Sequence, residues 1–314
     1  MRTVTATAAT AALAVGLVVG AIARAERSTV DASWERAASM SQRRSYVAAA
    51  ELGRRIYAAG GMVGETGRPL GTVSRYDPRL DAWETLAPLP EPTRAAAAAA
   101  FRGRIVVAGG TTAEGNVTSV VALDPGTNRW RRLAPLPEPR FNHELVAAGG
   151  RLFALGGFHE GREKRDVFVY EPTRGRWRSG TPLPRPAHAF SAVAFRGDLW
   201  VVGGRRGERV LREVWILDPR TERWRRGPVL PRPMELLGLA VHGDELHAVW
   251  ESTYQVYDAS TGAWHQGPRP GVTRHALSAF AVGGVLYTVG GCTTALRDSP
   301  VVERLDLGSG TEGA

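Results

Sequence analysis

Short apolar runs recur along most of the chain, and each run is bounded by a turn signal. One such unit runs from Val193–Phe195 across Arg196-Gly197-Asp198 to a second apolar run at Leu199–Val202. A third run, Val214–Leu217, precedes an Asp-Pro turn and a strand that begins near Trp224. Short apolar runs separated by Gly and Asp-Pro turns are typical of β-strands and not of long helices. The pattern predicts an all-β chain built from four-stranded units.

The unit repeats at a nearly constant period. Glycine pairs close the second strand of a unit at Gly60-Gly61, Gly109-Gly110, Gly156-Gly157, Gly203-Gly204 and Gly290-Gly291. Tryptophans stand at positions 34, 83, 130, 177, 224 and 264, with spacings of 49, 47, 47, 47 and 40 residues. Each of the last five follows an acidic residue by six positions: Asp77, Asp124, Glu171, Asp218 and Asp258. A period of this length indicates a repeat architecture whose units pack on one another.

The glycine pair, the Tyr/Leu-Asp-Pro turn and the following tryptophan resemble the kelch-repeat family. The resemblance covers about residues 34–307 and implies a six-bladed β-propeller of four-stranded sheets. A large tryptophan at one fixed position would fill each contact between blades.

The two ends of the chain carry complementary partial repeats. Trp34 has no Asp-Pro turn before it, and Asp306 has no tryptophan after it. We therefore expect the strand at Ser33–Ala37 to complete the sixth blade, whose other strands come from about residues 275–307. This closure would remove two free sheet edges.

Blade five departs from the pattern, because Trp250 and Glu251 stand where the glycine pair is expected and the following loop is shorter. Trp250 either packs in the space left by that loop or stacks on a sugar. The outermost strands carry arginines at positions 131, 132, 178, 225 and 226, which we interpret as protection against edge-to-edge pairing.

The amino terminus predicts export. Residues 1–25 contain a basic start, an apolar run from Ala11 to Ala23 and the small-x-small signal Ala23-Arg24-Ala25. This is typical of a signal peptide, although an uncleaved membrane anchor remains the alternative. We assign residues 26–32 to a linker and 33–314 to the propeller, and expect a secreted or extracytoplasmic protein.

Composition excludes several classes. The 314 residues are 43% hydrophobic and 23% charged, as in soluble globular proteins. A single cysteine, Cys292, excludes an intramolecular disulfide and a Cys-rich zinc site, and we interpret it as a buried small side chain. The net charge is +9, but the basic residues are interleaved with acidic ones, which argues against nucleic-acid binding. We expect a monomer without a metal or cofactor.

Candidate binding residues follow from the repeat. In this family the linkers between blades lie at the mouth of the central channel. Counting eleven residues from each tryptophan gives one equivalent position per blade: Ser45, Arg94, Phe141, His188, Glu235 and His275. With the neighbouring positions, the predicted site comprises Arg94, Asn142, His188, Glu235, His275, Arg44, Arg140 and Arg274. Arginine donors suit carboxylate or phosphate, and histidine titrates near neutral pH.

Other interpretations of these residues remain open. Arg44, Arg140 and Arg274 match the Pro-Arg start of many kelch repeats, where they would tie blades together. His143 either lines the channel or is a buried core histidine. Glu235 beside His188 or His275 would form an acid–base pair if the protein were an enzyme.

Two functions compete at this stage. The first is a non-catalytic, exported binding module for a protein, peptide or envelope glycan. The second is a sugar-acid mutarotase or epimerase, because exported six-bladed kelch proteins include sialic-acid mutarotases. The sequence leaves the question of catalysis undecided.

Overall fold

A computed structural model describes residues 33–64, 66–293 and 297–308. The predicted signal peptide at residues 1–25 and the linker at 26–32 lie outside the described residues, so these assignments stay predictions. The described part of the chain is all strand, turn and loop, and contains no apolar helix of membrane-spanning length.

Six four-stranded antiparallel sheets, the blades, account for most of the described residues. The first strand in the chain is β1 (Glu35–Ala37). Each blade runs from the channel outward. Blade one comprises β2 (Ala48–Leu52), β3 (Arg55–Ala59), β6 (Val73–Asp77) and β7 (Ala82–Leu86), and blade two comprises β8 (Ala97–Phe101), β9 (Arg104–Ala108), β10 (Val120–Asp124) and β11 (Arg129–Arg132). Blade three comprises β12 (Glu144–Ala148), β13 (Arg151–Leu155), β16 (Val167–Glu171) and β17 (Arg176–Ser179).

Blades four to six repeat this order. Blade four comprises β18 (Ser191–Phe195), β19 (Asp198–Val202), β22 (Val214–Asp218) and β23 (Arg223–Arg226), and blade five comprises β24 (Gly238–His242), β25 (Glu245–Trp250), β26 (Thr253–Asp258) and β27 (Ala263–Gln266). Blade six comprises β28 (Ser278–Val282), β29 (Val285–Val289), β30 (Val302–Asp306) and β1. Small hairpins project between the second and third strands of blades one, three and four: β4 (Met62–Val63) with β5 (Arg68–Pro69), β14 (Phe158–His159) with β15 (Arg162–Glu163), and β20 (Arg205–Arg206) with β21 (Arg209–Val210).

The predicted closure is confirmed. Strand β1 pairs antiparallel with β30, with Glu35 opposite Arg304 and Ala37 opposite Val302. The side chains of Glu35 and Arg304 also form an ion pair at 3.0 Å. The first described residues therefore supply the outermost strand of the last blade.

All six repeat tryptophans make the same contact between blades. Each indole Nε1 donates a hydrogen bond of 2.8–3.1 Å to the carbonyl four residues after the tryptophan of the preceding blade. The acceptors are Ala38, Ala87, Ala134, Thr181, Pro228 and, for Trp34, Pro268. An aromatic ring that packs while its N–H finds an acceptor satisfies both ends of the side chain. The tryptophan period is thus the period of the blade-to-blade contact.

Both positions of the glycine pair require glycine, because backbone carbonyls of two different linkers lie too close for a Cβ. A Cβ on Gly203 would lie 2.3 Å from the carbonyl oxygen of Met234, in the next blade. A Cβ on Gly204 would lie 2.9 Å from the carbonyl oxygen of His188, in its own blade. Both glycines also adopt positive φ, at 66° and 99°. Only glycine meets both conditions without strain.

Candidate functional site

The linkers between blades and the loops between second and third strands meet at one end of the channel, which we call the mouth. Isolated antiparallel bridges join the two sets of backbone in five blades. They are Ser45 to Met62, Arg94 to Thr111, Phe141 to Phe158, His188 to Arg205 and His275 to Cys292. The predicted period-locked positions are therefore adjacent to the residue that follows each glycine pair.

A belt of backbone hydrogen bonds fixes the linkers around the mouth. The residues involved all have φ between 46° and 57°: Tyr46, Ala95, Asn142, Ala189, Leu236 and Ala276. From Ala95 onward each donates its N–H to the carbonyl of the equivalent residue in the preceding blade, at 2.7–3.1 Å. The left-handed conformation is strained in residues other than glycine, so the belt holds the linker against its local preference.

Arg44, Arg140 and Arg274 lie inside their own blades and not at the surface of the mouth. Their side chains are fully buried, with relative exposures of 0%, 0% and 1%. The guanidinium of Arg44 donates to the carbonyl oxygens of Gly60, at 3.1 Å, and Thr72, at 2.6 Å. Each of these arginines ties the incoming linker to the end of the second strand and the start of the third, which is a structural role.

The three buried arginines differ in what neutralises or covers them. Arg274 donates to the carboxylate of Glu303 at 2.8 Å. Arg140 stacks over the ring of Phe168, with 4.3 Å to the centroid. Burial lowers the pKa of Arg44 and of Arg140 to about 10, so both stay charged at neutral pH.

Arg94 and Asn142 line a cavity of about 310 Å³ at the mouth. Its other lining residues are Tyr46, Met62, Ala95, Thr111, Asn116 and Phe141. Among the described residues, Arg94 has no carboxylate within ion-pair distance; its Nη1 lies 3.4 Å from the sulfur of Met62. An uncompensated guanidinium in a half-buried pocket suits an anionic ligand group.

A short chain of polar groups continues from this cavity. The hydroxyl of Thr111 donates to the side-chain oxygen of Asn116 at 2.9 Å, and the amide nitrogen of Asn116 lies 3.1 Å from Nδ1 of His159. These groups orient one another and can donate hydrogen bonds to, or accept them from, a ligand beside Arg94.

His188 and Glu235 lie on the opposite side of the mouth, in blades four and five. Glu235 accepts two hydrogen bonds from Arg205, both at 2.5 Å, so its charge is neutralised within the protein. Nδ1 of His188 lies 3.9 Å from Glu163, and its ring packs 5.1 Å from that of Phe158. Burial lowers the pKa of His188.

His275 and Cys292 form a contact that the sequence did not indicate. The thiol Sγ lies 3.1 Å from Nε2 of His275. Nearby, the hydroxyl of Ser45 donates to Asp298 at 2.6 Å. Burial and the charge of Asp298 raise the pKa of Cys292 to about 11, so the sulfur is a protonated thiol at neutral pH.

The channel below the mouth is a cavity of about 480 Å³ lined by the six innermost strands. Its walls are rich in alanine, and Glu144 and Ser191 are among its few polar side chains. Burial raises the pKa of Glu144 to about 8. His143 borders the channel but is buried against Gly109; burial and Arg140 lower its pKa to about 3, so it is neutral.

Blade five lacks the projecting loop of its neighbours. Strands β25 and β26 are joined by residues 251–252 alone, whereas residues 203–213 join the equivalent strands of blade four. Glu251 adopts φ +51° and donates its N–H to Arg274, which reproduces the bond that Gly204 makes to Met234. Trp250 is half-buried and packs against the core between blades four and five.

Several mouth residues were missed by counting from the tryptophans. Met62, Thr111, Arg205 and Cys292 follow the glycine pairs directly, so counting from the glycines would have found them. Asn116, Glu163 and Asp298 lie on loops of different length, which carry no periodic signal. Among the described residues, no group of three or more His, Cys, Asp or Glu side chains is arranged to hold a metal ion.

Comparison with known proteins agrees with this architecture. The KLHDC2/KLHL20/DRC7 Kelch-repeats domain model matches residues 46–249. The chain is 34% identical over 94 residues to alpha-scruin of Limulus polyphemus, 38% over 77 residues to Kelch-like protein 33 of Homo sapiens, and 37% over 89 residues to Kelch-like protein 35 of Mus musculus. These matches cover 24–28% of this chain and 10–15% of the relatives, so they extend over only a small part of those proteins. Because the domain model spans well over half of the chain and the fold has six closed blades, the protein belongs to the kelch-repeat family of β-propellers.

Proposed function

We propose that this kelch propeller is a non-catalytic binding module that holds an extended segment of a partner protein across its mouth. An acidic side chain of the partner would bind Arg94. The observation that carries this proposal is the uncompensated guanidinium of Arg94 in an open cavity, beside Asn142 and Thr111.

The opposite wall supports an extended partner and not a compact one. In a ring of six blades, blade five faces blade two, which carries Arg94. Blade five is also the blade without a projecting loop between its second and third strands. A chain anchored at Arg94 can therefore cross the channel and leave over residues 251–252. Trp250 lies at this exit with its indole Nε1 buried and unpartnered among the described residues.

Peptide display against the full-length chain tests the proposal. We expect the selected peptides to carry an acidic residue, because a hydrogen bond to a charged group contributes about 1.5–3 kcal/mol and the half-buried Arg94 is partly shielded from water. Arg94→Ala should weaken their binding at least tenfold by fluorescence polarisation. Arg79→Ala, at an exposed turn of blade one, is the matched control and should bind as the native chain does. Equal binding by Arg94→Ala would overturn the assignment.

A loop graft tests the direction of the bound segment. Replacing residues 251–252 with the equivalent loop of blade four, residues 204–212, would close the gap in the wall. We expect the graft to weaken long selected peptides and to leave versions truncated to the Arg94-binding end unaffected. Loss of both would show that the graft disturbs the mouth as a whole.

Sugar-acid conversion is the alternative outcome of these experiments. A general base at Glu235 would first have to leave its two bonds to Arg205. Accelerated anomer exchange of N-acetylneuraminate in the presence of the chain, measured by NMR, would favour the enzyme. We further propose that binding takes place outside the cytoplasm, a proposal that rests on the signal peptide predicted at residues 1–25.

A further inference from the structure

The outermost strands of the propeller divide into two halves of different charge. Strands β11, β17 and β23 of blades two, three and four carry eight arginines and no acidic residue. The outermost strands of blades one, five and six, which are β7, β27 and β1, carry one arginine and two acidic residues. The three arginine-rich blades are consecutive, so their charges form one continuous sector of the propeller edge.

Six of these eight arginines have no carboxylate within 4.0 Å among the described residues. We call them the rim arginines: Arg129, Arg131, Arg132, Arg176, Arg223 and Arg226. All six are exposed. The other two, Arg178 and Arg225, pair with Glu222 and Asp198.

Two acids that stand opposite rim arginines in the sheets already have other partners. Asp124, opposite Arg129 in the sheet, pairs with Arg104 at 3.1 Å. Glu171, opposite Arg176, binds Arg174 at 2.9 Å and Arg178 at 3.0 Å. The positive charge of the rim is therefore not cancelled locally.

Protection of the sheet edge does not account for this many charges. Blade five presents Ala263–Gln266 as its outermost strand without an acidic residue, Lys or Arg, and blade six presents one exposed arginine, Arg36. Charges on an edge strand discourage pairing, but blade five has an outermost strand without them, so this role does not require three arginines on one strand. A composition rich in arginine would also spread over all six blades, whereas the rim arginines occupy three neighbours.

We propose that the rim arginines bind a flexible linear polyanion, recognised through its phosphate or carboxylate groups. Three blades that fan around one axis face three directions, so a flat anionic surface reaches only part of the sector while a flexible chain can follow all of it. Base recognition has no platform there, because Trp130, Trp177 and Trp224 are committed to the contacts between blades. The partner is thus read by charge alone.

Binding of the full-length chain to long-chain inorganic polyphosphate, measured over a range of NaCl concentrations, tests this proposal. The rim variant replaces Arg131, Arg132, Arg223 and Arg226 by Ser. Its slope of log K against log salt should fall by about 3, since each lost phosphate contact removes about 0.7 of a released counterion. Affinity at low salt should fall at least tenfold. Arg36→Ser with Arg79→Ser, both exposed and in the other half of the molecule, removes half as many charges and should lose far less than half as much.

Each further outcome decides the question. Equal losses per substitution in the rim and control variants, or no polyphosphate binding by the native chain at low salt, would overturn the proposal. Tighter binding to anionic lipid vesicles than to polyphosphate would overturn it in favour of a membrane surface. Single-stranded DNA of matched charge should bind like polyphosphate and depend equally on the rim; much tighter DNA binding would show base contacts and contradict recognition by charge. None of these measurements involves Arg94, so they are independent of the mouth.

Discussion

The indole nitrogen of Trp34 donates a hydrogen bond to the carbonyl oxygen of Pro268, 2.8 Å away and 234 positions later in the chain. An equivalent hydrogen bond joins each of the five remaining pairs of neighbouring blades. Trp34 also packs edge-on against Tyr254, with ring centroids 5.7 Å apart. The contact that forms five times between residues 36 to 45 positions apart is therefore made a sixth time by residues 234 positions apart.

Replacing Trp34 should weaken the closure. We expect Trp34→Ala to lower the free energy of unfolding by roughly 2–3 kcal/mol, since both ring burial and a hydrogen bond are lost. Trp34→Phe retains most of the ring and should lose about 1 kcal/mol. Urea unfolding followed by circular dichroism measures both. A native-like midpoint for Trp34→Ala would contradict the closing role of this contact.

Arg274 and Glu303 form a buried ion pair whose side chains are 0% and 3% exposed. Arg274→Met leaves the carboxylate buried without its partner, so we expect a loss of about 3–5 kcal/mol in denaturant unfolding. The double variant Arg274→Met with Glu303→Met should recover a large part of that loss. Arg140→Met is the comparison, because Arg140 donates to the carbonyls of Gly156 and Asp166 and not to a carboxylate. A double variant no more stable than Arg274→Met would disprove the argument.

Two buried histidines should make the fold sensitive to acid. Burial lowers the pKa of His143 and of His247 to about 3, from an ordinary value of 6.5. Below pH 6.5 the unfolded chain binds a proton at each site that the folded chain does not, so stability is full above that pH and is lost as the pH falls. The loss approaches about 1.4 kcal/mol per pH unit for each histidine.

His143→Gln and His247→Gln separate this effect from the titration of carboxylates. Between about pH 7 and about pH 5, each variant should lose about 2 kcal/mol less than the native chain does, from the same linkage. The measurement is urea unfolding at both pH values. If both variants lost as much unfolding free energy between these pH values as the native chain does, neither histidine would be buried in its neutral form.

Glu251 occupies the position of the second glycine of the pair, with φ +51°. Glu251→Gly should raise the free energy of unfolding by about 1 kcal/mol, because glycine adopts positive φ without steric strain. At the equivalent position Gly204→Ala should destabilise by more than this, since its Cβ would lie 2.7 Å from the Cβ of Phe190. Thermal unfolding distinguishes the two signs. Destabilisation by Glu251→Gly would mean that its side chain contributes to the fold.

The mouth was only partly predictable because position in a repeat does not fix side-chain direction. Arg44 is ten residues after its tryptophan and Arg94 is eleven residues after its own, so their positions in the repeat are adjacent. Arg44 nevertheless lies inside its blade, while Arg94 lines the cavity. The pairing of Glu235 with Arg205 depends on a linker and a hairpin that approach each other in space. Neither contact leaves a periodic trace in the sequence.

The sequence by itself determined the number of repeats and their closure, and its resemblance to the kelch family implied the end of the channel where the loops converge. Trp34 and Asp306 sufficed for the closure, because a complete repeat needs both a turn acid and a tryptophan and each end has one of them. Only the tertiary structure decided which arginines lack an acidic partner among the described residues, as Arg94 and the rim arginines do. Asp124, for example, is only five residues from Arg129, and its pairing with Arg104 instead depends on contacts between strands that form only in the folded sheet.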